Sequence, residues 1–251
     1  MHFGRKRIKK FFFFIIVNGF LFILGNEVEF DEIINLGGTC QVAYQMYING
    51  LRKYALPFDK VRTPYDSLYA IMENKFQGFM EPENFVLVMN DKEKYILDKK
   101  YGIKLFHDFK INDNFLNDFE VIKETYLRRI DRFFTVINNS KHPLFIRRGI
   151  TKEQAITLRD LLHRLFPSKP FTIITVDSTQ EIKENWGLPE IRNFFLRPPN
   201  PATWKGDNGA WQELFKTLGL PIVPTNESPA EIFRNIGFSN MQVNESIYEI
   251  E

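Results

Sequence analysis

From Leu144 onward the chain alternates between short β-branched runs and amphipathic stretches, and no other feature restricts its possible folds so strongly. Leu144 to Arg147 reads as a strand. Thr151 to Phe166 reads as a helix opened by a Thr151 cap with Gln154 three residues on. Phe171 to Asp177 is a strongly β-branched strand, Ile191 to Leu196 a last strand, and Asp207 to Leu218 a final helix. Strands separated by helices need crossover connections, which favour a parallel sheet covered on both faces. The expected fold is therefore α/β, a three-layer sandwich with a mostly parallel central sheet.

Upstream, the signals are shorter. Glu32 to Leu36 is an apolar segment that runs into Gly37-Gly38-Thr39-Cys40, and Val42, Ala43, Met46 and Tyr47 follow at helical spacing, so the order is strand, tight turn, helix. Tyr65 to Phe79 has a helical apolar stripe. Phe85 to Met89 and Tyr95 to Leu97 suggest a hairpin around Asn90-Asp91. Ile103 to Phe109 reads as a strand and Glu120 to Ile137 as a long amphipathic helix. The proline-bearing end, residues 221–251, reads as an irregular extension of a domain spanning 26–220.

The first 25 residues set Arg5, Lys6, Arg7, Lys9 and Lys10 ahead of an apolar run from Phe11 to Gly25, the layout of a signal peptide. The run is shorter than the roughly 20 residues that span a bilayer. The expectation is a secreted or periplasmic protein, with membrane attachment through residues 11–25 as the alternative. Five of the 33 basic residues lie in this leader, so 28 face 31 acidic ones in the remainder. That balance, and the lack of a clustered basic patch, argues against nucleic-acid binding. One cysteine and scattered histidines make no zinc set, so no metal and no cofactor is expected.

A single thiol in an exported chain cannot form an internal disulfide. Either Cys40 is a small buried residue, or it is a nucleophile. The glycine turn before a helix suits the second reading, since first-turn amides lower a thiol pKa and bind an oxyanion. Gly38, Gln41 and Arg147 are the candidate oxyanion and substrate contacts. Among the histidines, His142 and His163 read as surface residues, whereas His107 sits in the apolar run Leu105 to Phe109. Asp59, Asp177 and Asp207 are carboxylates in loop or strand-end places, where turn and capping roles are common.

Ile34 to Ala43, Pro57-Phe58-Asp59, Tyr101-Gly102-Ile103 with Phe106-His107-Asp108-Phe109, and Phe145 to Arg148 together resemble a domain-of-unknown-function family described as putative papain-like cysteine peptidases. The likeness covers Glu32 to Asp177. It implies a peptide or acyl substrate, a Cys40 nucleophile and a His107 base, with Asp59 or Asp207 orienting the imidazole. It also implies an alternative fold, the papain-like α+β arrangement. The sequence departs from the pattern at Lys60, where an aromatic residue is common, and at Asn35, the only amide shortly before the cysteine. Two other readings are an exported protein that binds a carbohydrate or anionic ligand without catalysis, and a glycan-modifying transferase.

Overall fold

The computed structural model describes residues 15–17, 20–22, 29–91, 93–177, 185–200 and 202–236. The expected leader falls largely outside these. Two of its segments, β1 (Ile15–Val17) and β2 (Phe20–Phe22), pair antiparallel. The expected extension beyond residue 236 also lies outside the described residues.

The chain proceeds through β3 (Glu32–Asn35), α1 (Gln41–Ile48), β4 (Val61–Arg62), α2 (Tyr65–Glu73), β5 (Phe85–Met89), β6 (Lys94–Asp98), β7 (Ile103–Leu105), α3 (Phe119–Asn139), β8 (Pro143–Arg148), α4 (Lys152–Leu165), β9 (Thr172–Asp177), β10 (Ile191–Phe195), α5 (Asn208–Thr217) and α6 (Pro229–Ile236). Four strands in the order β10-β9-β8-β3 form a wholly parallel sheet. A second sheet, β4-β7-β6-β5, is antiparallel.

The three layers follow from the two-residue alternation of side chains along each strand. Ile34, Phe145, Ile173 and Ile191 point to one face and join Phe133 and Ile137 of α3 with Leu158, Leu161 and Leu162 of α4. Leu144, Ile146, Ile174 and Val176 point to the other, against Val42 and Met46 of α1 and Trp211, Leu214 and Phe215 of α5. A strand buried on both faces must be apolar throughout, which is why β8 and β9 read as unbroken apolar runs. The first of these cores continues into the antiparallel sheet through Phe85, Ile96, Ile103 and Leu105. The α/β sandwich expectation therefore describes the chain, while an α+β arrangement does not: the helix after Cys40 is fed by a parallel strand.

Boundaries move where local chemistry is specific. The helix expected to reach Phe79 stops at Glu73, because Lys75 and Phe76 adopt left-handed backbone (φ 48° and 61°) and the Asn74 amide turns back to the Ala70 carbonyl. The strand expected to reach Phe109 ends at Leu105, so His107 lies in the bend that follows. Within the stretch expected to be irregular, Ser228 and Glu231 form a reciprocal cap around Pro229 and start α6. Among the described residues, no helix is long and apolar enough to cross a membrane.

Candidate active site

β3 delivers the Gly37-Gly38-Thr39-Cys40 turn to the carboxyl end of the parallel sheet, where α/β proteins place their working residues. Gly37 and Gly38 have φ of +79° and +100°. A Cβ on Gly38 would lie 2.6 Å from the Arg148 carbonyl oxygen, so only glycine lets the turn sit against the end of β8. The Gly38 carbonyl accepts from the Thr63 amide at 3.2 Å, which ties the turn to β4 and the second sheet.

Cys40 occupies the N-cap of α1. It is 7% exposed and shares an apolar cluster with Tyr44, Trp204, Ile232 and Ile236. Burial pushes its thiol up to about 12, against the smaller opposing pulls of its own backbone amide and of Arg62 and Arg148. The amide dipoles expected to ionise the thiol are thus outweighed: removing a thiolate from water costs more than they return. The first helical amide, that of Gln41, meets the Thr39 hydroxyl at 3.4 Å.

His107 is 4% exposed, and burial lowers its imidazole to about 4, so it is neutral near pH 7. The charges acting on it are those of Asp108 and Lys60, whereas those acting on Cys40 are Arg62 and Arg148. Asp108 is held down by Lys60 and Arg129 despite its own burial, and it accepts from the Tyr126 hydroxyl at 2.8 Å. Lys60, the departure noted in the sequence, lies 3.5 Å from Asp108 and so takes part in this buried network.

The two proposed orienting carboxylates are engaged elsewhere. Asp59 meets Arg52 Nε at 3.0 Å, the Leu56 amide at 3.0 Å and the Asn35 amide group at 3.2 Å. It clasps the loop before β4 to the end of β3. Asp207 accepts from the Ala210 amide and caps α5. The carboxylate that acts on His107 is its chain neighbour Asp108, which the end of β7 at Leu105 frees from the opposite-face alternation of a strand.

The expected substrate contacts divide. Gln41 donates to the Trp204 carbonyl at 2.8 Å and lines a crevice with Arg148, Thr203 and Trp211. Arg147, by contrast, is 1% exposed and donates to the Leu36 and Thr63 carbonyls at 2.8 and 2.7 Å, so it braces the turn from behind. The crevice is reached by its neighbour, Arg148. One residue along a strand reverses the face, and the pair Arg147-Arg148 could not be split without the register. Arg62 went unnoticed in the sequence; it stands over the Phe106 ring at 5.3 Å and bonds Glu93 at 2.6 Å. Among the described residues, no group of three or more His, Cys, Asp or Glu could hold a metal ion.

A lone thiol at the carboxyl end of a parallel sheet, beside an antiparallel sheet whose last strand leads into the His107 bend, defines the class as an α/β protein with its one cysteine at a helix N-terminus. The chain belongs to the family described as putative papain-like cysteine peptidase, which matches residues 31–180. It is also similar to an uncharacterized protein of Acanthamoeba polyphaga mimivirus, 31% identical over 215 residues that take in 72% of this chain and 95% of the relative. No solved structure matches.

Proposed function

We propose that the protein is a cysteine-nucleophile hydrolase of peptidase type, with Cys40 as nucleophile and His107 as general base. The observation that carries the reading is the position of the single thiol: first cap of α1, at the carboxyl end of β3, in a chain of this family. In the reaction the Cys40 proton passes to the neutral His107 imidazole as sulfur bonds the acyl carbon of a peptide or thioester. The C–N or C–S bond then breaks, the proton returns to the leaving group, and water hydrolyses the thioester to regenerate the thiol. Asp108, rather than Asp59, stabilises the imidazolium. The basic-then-apolar leader supports action outside the cytoplasm.

Because burial holds the thiol protonated, deprotonation is coupled to exposure or substrate entry, and Arg62 and Arg148 then favour the thiolate. The test is acylation by an activated thioester followed by mass spectrometry. Wild type acquires one acyl group on Cys40 and releases it. Cys40→Ser loses turnover by more than about a hundredfold, and His107→Gln loses it comparably. Turnover that survives Cys40→Ser would overturn the reading.

A further inference from the structure

Two walls of the apolar cluster that holds the Cys40 thiol are fixed to one another. Tyr44, one turn along α1, meets Trp204 edge to face with ring centroids 5.3 Å apart. The Trp204 loop is pinned to α1 by two buried glutamines: Gln41 donates to the Trp204 carbonyl at 2.8 Å, and Gln45 donates to the Lys205 carbonyl at 2.6 Å and to the Asn208 side-chain oxygen at 2.8 Å. These walls cannot part without leaving buried polar groups unpaired.

The remaining wall is α6, and it is held differently. Its Ile232 and Ile236, four residues apart and so on one face, complete the cluster. The segment leading to α6 is anchored at the far end of α1, where the Val223 and Thr225 amides donate to the Asn49 and Ile48 carbonyls. A Cβ on Gly50 would stand 2.4 Å from the Val223 carbonyl oxygen, so glycine lets the segment cross there. Beyond that anchor comes a latch, Glu227 accepting from the Tyr47 hydroxyl at 2.7 Å and from the Asn235 amide group at 3.1 Å. The Lys205 ammonium tacks α6 to the fixed wall, 6.0 Å from the Trp204 ring and 5.2 Å from the Phe233 ring. A helix of eight residues is not stable by itself, so α6 folds only while it is docked.

We propose that α6 is a lid, and that the space Ile232 and Ile236 fill beside Cys40 is the pocket for a branched aliphatic residue or acyl group of the substrate. The pocket already accepts isoleucine side chains against Tyr44, Trp204 and the thiol, so a group of the same shape and polarity replaces them. Lid and substrate exclude one another, and the population of the open state sets both access to Cys40 and apparent affinity. The chemistry at the thiol rests on the hydrolase reading, whereas the competition between α6 and an apolar ligand stands on the packing alone.

N-acetylleucinamide and its polar near-isostere N-acetylasparaginamide are titrated into the full chain by calorimetry. Lid opening is read from the rate of tryptic cleavage after Arg234, which is exposed on α6 but shielded from the protease by the helical backbone. N-acetylleucinamide should bind saturably and speed this cleavage at least about threefold, and N-acetylasparaginamide should do neither. Glu227→Ala removes the latch; without ligand it should be cut at least about threefold faster than wild type, and it should bind N-acetylleucinamide tighter by a similar factor. No saturable binding, cleavage that the ligand slows or leaves unchanged, an equal response to both amides, or an affinity that Glu227→Ala does not alter would overturn the lid. Cys40→Ser should keep the link between ligand and cleavage. That link without turnover in wild type counts against the nucleophile alone, and turnover without the link counts against the lid alone.

Discussion

Cys40 begins a helix, where thiols ordinarily ionise more easily, yet its place in an apolar cluster pushes it up to about 12. Desolvation acts on each buried titratable group in the direction that neutralises it, and Asp98 shows the same effect on an acid. It is fully buried at the end of β6; Oδ1 accepts from the Lys100 amide, while Oδ2 has no hydrogen-bond partner among the described residues. Burial raises its carboxyl to about 6. The folded chain then holds a proton that the unfolded chain has already released, so this group's contribution is most favourable below about pH 4 and is lost as pH rises to about 6. Asp98→Asn keeps the Oδ1 contact and removes the charge. Chemical denaturation of both proteins should show the variant gaining on wild type between pH 4 and 6, to an advantage of about 2 kcal/mol that stays level to pH 8. An advantage independent of pH would show that Asp98 titrates normally.

At the scale of elements, α6 and the residues around Trp204 close over the cluster that contains Cys40. Ile232 and Ile236 are buried there, Phe233 packs 6.0 Å from Trp204, and the irregular segment before α6 is tied down by Val223 and Thr225 amides on the carbonyls of Asn49 and Ile48. This satellite cluster is far smaller than the two sheet cores, and local opening is cheapest where the fewest apolar contacts are lost. Ile236→Asp should release α6 while leaving both cores intact, because a buried unpaired carboxylate is not tolerated. Iodoacetamide should then label Cys40 more than tenfold faster at pH 8, with unchanged far-UV circular dichroism outside the loss of one short helix. Unaltered labelling would mean that other groups seal the thiol. The parallel sheet was legible in the sequence because strands buried on both faces leave continuous apolar runs and their helices carry caps such as Thr151–Gln154. α6 was not, since prolines hid a Ser228–Glu231 cap that only eight residues follow. Nor was the role of Arg62: a two-residue strand carries no periodicity, and the pull of its charge on the thiol depends on how two sheets meet.

Across the whole molecule, the two sheets are joined in two ways of different kind. One is apolar and spread out: the cluster that includes Ile34 and Phe145 of the parallel sheet also includes Ile96, Ile103 and Leu105 of the antiparallel one, with Phe58, Phe76 and Phe133 interleaved. The other is polar: beside the Thr63–Gly38 backbone bond, Arg147 leaves the parallel sheet at β8 and bonds carbonyls on both sides of the junction, Leu36 after β3 and Thr63 after β4. A buried guanidinium loses much in desolvation, which lowers its proton affinity to about 9 here, so its hydrogen bonds must be well made to hold it. Arg147→Met fills similar space but leaves two buried carbonyls without donors, at about 1.5 kcal/mol or more each, so a loss of about 3 kcal/mol is expected. The apolar continuity decides the form that loss takes. If the shared core dominates, urea transitions followed by tryptophan fluorescence, whose reporters Trp186, Trp204 and Trp211 lie beside the parallel sheet, and by far-UV circular dichroism, which averages all elements, will shift to lower urea together and remain superimposed. Should the two curves separate in Arg147→Met, the antiparallel sheet would be a unit that the arginine, more than the Thr63–Gly38 backbone bond, couples to the thiol-bearing turn.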